Sequence, residues 1–321
     1  MPFFKSLKLR LKLPLMLVTI AVGALAVMGV SSYREARNLL LEQGSQRLEL
    51  TLQTRARDAQ GWADQVQSEL RAMAVNQGTA RLMRDFSGAW KMLGAGAADN
   101  LRHAWVETNP HPEAERWKLD FAGDINDFGI IHRRAHPGFV TQAKERGLAD
   151  LFFVDPQGRV LYSLRKGPEF AADLTDPALR QSPLARVVAQ AQASSDQVPQ
   201  ISEFVAAGPG GGPVAYLAQS VRSTEGKSLG VLAFAARLDP LLTMITAPQS
   251  LGETGQAYLV DGSGILQTQL RAGAASPGTT VTTPAVTAAL AGETGRIEQS
   301  GVAGGSVLAV HAPVQVFGRP M

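Results

Sequence analysis

The sequence predicts an α+β protein: one membrane-spanning helix, one long stalk helix, and two tandem modules that each lay helices on an antiparallel sheet. Three observations lead there: an uncharged apolar run near the N-terminus, a proline-free amphipathic stretch behind it, and an internal repeat of strand, turn and helix signals. A chain of 321 residues has room for about two domains. With 45% hydrophobic and 18% charged residues, apolar material suffices for real cores.

The apolar run is Leu13 to Val30. At about 1.5 Å per residue it nearly crosses a hydrocarbon layer of about 30 Å. Lys5, Lys8, Arg10 and Lys12 precede it with no acid among them, which keeps the N-terminus cytoplasmic and sends the bulk of the chain to the periplasmic side of an inner membrane. The competing reading is a cleaved signal peptide, with Ala24-Leu25-Ala26 as its cleavage pattern. That pattern falls in mid-run and helical signals continue past it, so residues 1–12 read as a basic tip and 13–32 as an anchor.

Setting those four cations aside turns the formal net charge from +3 to −1. The basic isoelectric point therefore belongs to the tip, and no nucleic-acid-binding surface is expected. The absence of cysteine excludes disulfides, zinc–thiolate sites and cysteine nucleophiles.

Residues 33–75 lack proline and carry apolar residues at Leu41, Leu48, Leu52, Ala59, Trp62, Val66, Leu70 and Met73, close to multiples of 3.6. This is a single helix of about 65 Å at about 1.5 Å per residue. A helix that long pairs as a coiled coil or runs beside more than one domain; the stripe offers a seam for a homodimer. Residues 76–147 read as shorter helices, Ala80 to Leu93 and Ala97 to Val106, among irregular loops broken by Asn109-Pro110-His111-Pro112. Asp120, Asp124, Asn126 and Asp127 lack the spacing of a calcium loop and read as a polar loop. His132 and His136 are four apart, a metal pair if helical, but Arg133, Arg134 and Pro137 beside them favour no closed site. No metal or cofactor is expected.

The repeat is the most informative feature. Leu151 to Leu161 lies over Ala257 to Gln267, each an apolar strand, a turn with Asp and Gly at matching places, and a second strand. Ser182-Pro183 and Thr283-Pro284 each open a short helix with a hydroxyl cap and a proline at the first helical position. Val214 to Val221 matches Val307 to Val314, both strand-like. The modules are thus 76–240 and 241–321. In the first, one further strand follows (Leu229 to Ala235); the second has no counterpart before Met321. The expectation is an incomplete second module, with a return membrane helix beyond Met321.

No catalytic constellation stands out. The run Gly208 to Pro213 lacks the Lys-Ser/Thr of a phosphate loop and reads as a turn, so an enzyme is not expected.

His136 to Leu174 (HPGFVTQAKERGLADLFFVDPQGRVLYSLRKGPEFAADL), Ser182 to Val188 (SPLARVV), Leu251 to Leu266 (LGETGQAYLVDGSGIL) and Ala285 to Gly295 (AVTAALAGETG) together resemble the double-Cache sensor region of bacterial methyl-accepting chemotaxis proteins. The resemblance runs from Tyr33 to the end, and the Gly-Glu-Thr-Gly-x-Ala-Tyr-Leu-Val stretch is its most specific part. It implies two stacked PAS-like modules, a small ligand (organic acid, amine or amino acid) in the membrane-distal one, and output through a second membrane helix to a signalling domain. A histidine kinase or nucleotide cyclase sensor would share the same exported region. The Tyr-x-Arg-x-Trp segment of amino-acid-binding members is not present. The distal module offers Tyr162, Arg165, Lys166, Asp173 and Tyr216 as ligand contacts: cations for a carboxylate, Asp173 for an amine, tyrosines as walls with hydroxyl handles.

Overall fold

The computed structural model describes residues 9–123, 126–206, 212–248, 251–271 and 274–321. Lys5 and Lys8, Asp124 and residues 207–211 of the glycine-rich run lie outside the described residues.

Anchor and stalk form one unbroken helix, α1 (Leu9–Val75), about 100 Å long at about 1.5 Å per residue. From Pro14 to Leu40 it is exposed throughout, and its most apolar window has mean hydropathy 2.2 with none of it buried. It is long and apolar enough to cross a membrane. Further along, the apolar stripe turns inward: Ala59, Val66 and Leu70 are buried within the chain, and Trp62 packs on Phe317 at 5.2 Å between ring centroids. Between Ala59 and Leu70 this stripe is therefore covered by the chain's own sheet and C-terminal segment, while Leu41, Leu48 and Leu52 are half-buried. The opposite face, with Gln53, Arg57, Gln60, Asp64 and Arg71, is polar and exposed.

Next come α2 (Gln77–Leu93), capped by Asn76, and α3 (Ala97–Arg102), which continues as a π-helical turn over His103–Glu107. Then α4 (Asp127–Arg146) corrects the loop reading of this region. Asn126 caps it through the Gly129 N–H at 2.8 Å, Gly147 ends it in the left-handed conformation, and Pro137 sits inside it. A proline removes one helical hydrogen bond; the face carrying Phe128, His132, His136, Phe139 and Ala143 is buried, and that packing outweighs the loss.

The main sheet is antiparallel: β1 (Leu148–Val154), β2 (Val160–Ser163), β3 (Gln200–Ile201), β4 (Val205–Ala206), β5 (Pro213–Arg222) and β6 (Ser228–Arg237), in order β2-β1-β6-β5-β3 with β4 also on β5. Alternate residues face opposite sides. Leu151, Phe153, Leu217, Leu232 and Phe234 join the α1, α2 and α4 core; Phe152, Val154, Ala218, Val231 and Ala233 meet α5 (Pro183–Ala193) through Leu184, Val187 and Val188. Burial on both faces explains the continuous apolar runs in β1 and β6. Gly230 (φ +137°) is required where these strands meet, because a Cβ there would lie 2.2 Å from the Val154 carbonyl.

The repeat is visible bond for bond in its turns. The Asp155 N–H donates to the Arg159 carbonyl at 2.9 Å, as Asp261 does to Ile265 at 2.9 Å. Each aspartate Oδ1 accepts the N–H groups two and four residues on. Ser182 and Thr283 cap α5 and α7 (Pro284–Leu290) alike. Among the described residues the second copy has no single sheet like that of the first. It consists of the hairpin β7–β8 (Gly295–Ser300, Ser306–His311), the short pair β9–β10 (Gln315–Val316, Arg319–Pro320) and bridges at Val260–Leu266 and Ile265–Thr280. Its core is a separate cluster of Val260, Leu266, Leu270, Val281 and Val286. β7 alternates half-buried and exposed residues: on one face Gln299 accepts the Ala285 N–H of α7 at 2.8 Å, and on the other the exposed Arg296 and Glu298 face α1, with Glu298 3.9 Å from Arg37. Arg296 ties this hairpin to α1 through Glu42 at 3.0 Å.

Between the copies, α6 (Asp239–Thr246) is held to the stalk by Arg55, whose guanidinium donates to the Ile245 and Ala247 carbonyls. Cationic donors suit the unsatisfied carbonyls of a helix C-terminus.

Candidate functional site

The buried face of α4 brings two histidines into the helical core, four residues apart and stacked with centroids 4.4 Å apart. Carbonyls only accept hydrogen bonds, so they fix both tautomers. His132 Nδ1–H donates to the Asp120 carbonyl at 3.0 Å, leaving Nε2 as a bare acceptor. His136 Nε2–H donates to the Trp117 carbonyl at 2.6 Å, and its Nδ1 accepts the Tyr162 hydroxyl at 2.6 Å. Burial, followed by the charge of Lys166, holds His132 well below the ordinary histidine range and His136 at about 3. Both are neutral at physiological pH.

Beyond β2 the chain turns through two non-glycine residues in left-handed conformation, Lys166 (φ 55°) and Ala171 (φ 57°). Such residues need surroundings that hold them. Here the Lys166 N–H donates to Ser163 Oγ at 3.0 Å, Ser163 donates to Asp150 Oδ2 at 3.0 Å, and the Arg165 and Leu151 N–H groups bond Asp150 Oδ1 at 3.1 and 2.7 Å. Burial pushes the Asp150 carboxyl up to about 7 against these bonds. On the far side of the loop, Arg102 donates to the Pro168 and Phe170 carbonyls, both at 3.0 Å.

This frame points Lys166 inward. The side chain is fully buried, and its Nζ lies 3.5 Å from the Leu164 carbonyl, 3.5 Å from His136 Nε2 and 5.6 Å from the Trp105 ring centroid. His136 Nε2 carries its proton toward Trp117 and is not an acceptor for it. An ammonium with three donors thus has one long carbonyl contact and a ring face. Burial pulls it down to about 7.

Trp105, on the π-helical turn, packs on His132 at 4.0 Å between centroids. Its buried Nε1–H has no hydrogen-bond partner, and neither has His132 Nε2. Such turns recur at functional sites, and each orphaned buried group costs about 1–3 kcal/mol. Phe86, Phe128 and Phe170 complete the walls. The polar atoms of the cluster left without a close partner are two donors, Lys166 Nζ and Trp105 Nε1–H, and one acceptor, His132 Nε2. Among the described residues no group of three or more metal-ligating side chains occurs.

Of the five residues expected from the sequence, Tyr162 and Lys166 lie here together. Arg165 donates to the Ala149 carbonyl at 2.6 Å. Asp173 closes its own turn, accepting the Thr175 N–H at 2.8 Å and hydroxyl at 2.6 Å. Tyr216 packs with Phe152 on the α5 side of the sheet, where burial raises its hydroxyl pKa. Trp105, His132 and His136 were not among the five. The signal for the two histidines was the spacing Phe128, His132, His136, Phe139, a helical face.

A second feature, a groove of about 710 Å³ between α1 and α6 lined by Gln46, Arg47, Leu50, Thr54 and Met244, is open to solvent.

No protein-family model matches the chain, and no curated protein sequence matches it. Among solved structures it is similar to the extracellular domain of the histidine kinase vpHK1S-Z8, at 9% identity and TM-score 0.48, over 87% of this chain and 89% of that one. A domain of a sensory box/GGDEF family protein from Vibrio parahaemolyticus gives 11% and 0.48, over 87% and 94%. The sensory domain of the Campylobacter jejuni chemoreceptor Tlp3 with isoleucine bound gives 11% and 0.42, over 76% and 89%. Likenesses this distant assign no residue role or ligand to the chain.

Proposed function

We propose that this chain is the extracytoplasmic sensor region of an inner-membrane receptor, a chemoreceptor of the double-Cache kind, that binds a small molecule and does not itself catalyse a reaction. The observation that carries the reading is the buried cluster of Lys166, Trp105 and His132, whose polar atoms are fixed in place without adequate partners. In this reading residues 76–240 are the membrane-distal, ligand-binding module and 241–321 the membrane-proximal one. Residues 13–32 cross the membrane, residues 1–12 stay in the cytoplasm, and the output domain lies outside these residues.

Transmission would run through α2. Phe86 touches Phe128 and Tyr162 of the cluster at 5.3 and 5.6 Å between centroids, and α2 packs on α1 within the same buried core. A ligand that favours one placement of α2 shifts the population of α1 positions and so reaches the membrane.

The test is thermal unfolding of the detergent-solubilised full chain against a panel of organic acids, amines and amino acids. A ligand that binds only the folded state raises the midpoint, by about 2.7 kcal/mol of added stability at a hundred times its Kd. Silence across the whole panel overturns the sensor reading.

A further inference from the structure

We propose that the molecule this site takes is a small 2-hydroxycarboxylate, recognised by Lys166 and Trp105 through its carboxylate and by His132 through its hydroxyl. The inference rests on the sensor reading above and selects one class from the acids, amines and amino acids that reading admits.

The atoms left over in the cluster are two donors and one acceptor. The donors are the Lys166 ammonium, with the Leu164 carbonyl at 3.5 Å, and the Trp105 Nε1–H. A carboxylate has two oxygens and about four acceptor positions, enough for both, and charge-assisted bonds are the stronger kind. The acceptor is His132 Nε2, whose ring lies 4.0 Å from that of Trp105 and 4.4 Å from that of His136. Because Nδ1–H is committed to Asp120, Nε2 can only accept while the ring is neutral. A group meeting it must be a neutral donor held close to the carboxylate, and a hydroxyl on the adjacent carbon is that group.

An ammonium in the same place would need a free negative partner, and the two carboxylates whose charge reaches Lys166, Asp150 and Asp120, do not offer one. Asp150 is buried, but it is occupied by Leu151, Arg165 and Ser163. Asp120 presents its carbonyl to His132 while its side chain is exposed. Asp173 is bound to Thr175. An amino acid would place its cation among Lys166 and two neutral imidazoles, and a buried charge without a counter-charge is strongly unfavourable. A carboxylate lacking the hydroxyl would satisfy Lys166 and Trp105 and leave His132 Nε2 orphaned, weakening binding by about tenfold or more.

The test uses the solubilised full chain and matched triplets differing only at the second carbon: lactate, alanine and propionate; malate, aspartate and succinate; 2-hydroxy-3-methylbutanoate, valine and 3-methylbutanoate. The expected result is that at least one hydroxy acid raises the midpoint, with its deoxy partner roughly tenfold weaker and its amino partner weaker still. Trp105→Phe keeps the ring and removes the N–H, and should weaken the hydroxy acid roughly ten- to a hundredfold. His132→Phe should bring the hydroxy and deoxy members to similar affinity, a change that general destabilisation would not produce. An amino member binding more tightly than its hydroxy partner overturns the inference and leaves the sensor reading standing. So does a response unaltered in both variants. Silence from all three triplets overturns the inference alone if another class of the wider panel responds, and both readings if none does.

Discussion

Replacing Lys166 by Met keeps nearly the same length and removes the buried charge. Folding pulls this ammonium from an ordinary 10.5 down to about 7. At about 1.36 kcal/mol per pKa unit, that depression corresponds to roughly 5 kcal/mol of destabilisation at pH 6, where folded and unfolded chains both hold the proton. The sign follows from proton counting: between pH 7 and 10.5 the unfolded chain binds more protons, so stability rises with pH and the penalty falls to roughly 2 kcal/mol at pH 9. Lys166→Met should therefore stabilise the unliganded protein, most at pH 6 and least at alkaline pH. Since about 1 kcal/mol moves the midpoint of a chain of this size by about 2 °C, the gain is on the order of 10 °C at pH 6 and a few degrees at pH 9. The left-handed φ of 55° is common to both residues and cancels. The assay is circular-dichroism melting of the solubilised chain at the two pH values. A gain equal at pH 6 and pH 9 refutes the argument that a titrating buried ammonium is the cause; a loss at pH 6 means the ammonium is well paired. The same variant should lose its response to any carboxylate ligand, trading function for stability.

Three further outcomes test other parts of the structure. Tyr162→Phe keeps the ring among Phe86, Phe139 and Phe153 but leaves His136 Nδ1 without its donor, and should cost about 1–3 kcal/mol in urea unfolding. Asp173→Ala should cost about 1 kcal/mol through its turn bonds to Thr175 and leave the ligand-induced midpoint shift unchanged; a lost shift would return Asp173 to the site. Gly230→Ala, with its Cβ 2.2 Å from the Val154 carbonyl, should cost about 3 kcal/mol or more, whereas Gly226→Ala, where nothing lies within 4 Å, should cost about 1 kcal/mol, both by urea unfolding.

What could be read in advance, and what could not, divides along one physical line. Local chemistry was legible. The Asp155 and Asp261 turns, the Ser182 and Thr283 caps and the stripe on α1 each depend on residues a few positions apart, and each appears where the spacing placed it. Burial decided by distant parts of the chain was not. Pro137 and its neighbouring arginines argued against a closed histidine site, yet α4 keeps its proline because Phe128, His132, His136 and Phe139 together bury one face. Lys166 and Arg165 looked equivalent as adjacent cations, and the outcome separates them completely. One donates to the nearby Ala149 carbonyl; the other is turned inward by an Asp150–Ser163 relay that begins thirteen residues upstream of Ser163. Tyr162 and Tyr216 differed as little in sequence, and strand alternation alone put them on opposite faces of the sheet. Sites of this kind resist reading from sequence because they break local rules: a proline inside a helix, a lysine with positive φ, an indole N–H with no partner. Those same violations mark the place in the structure. Each is unfavourable taken alone, and of the three only the indole N–H is a group that the proposed ligand would satisfy.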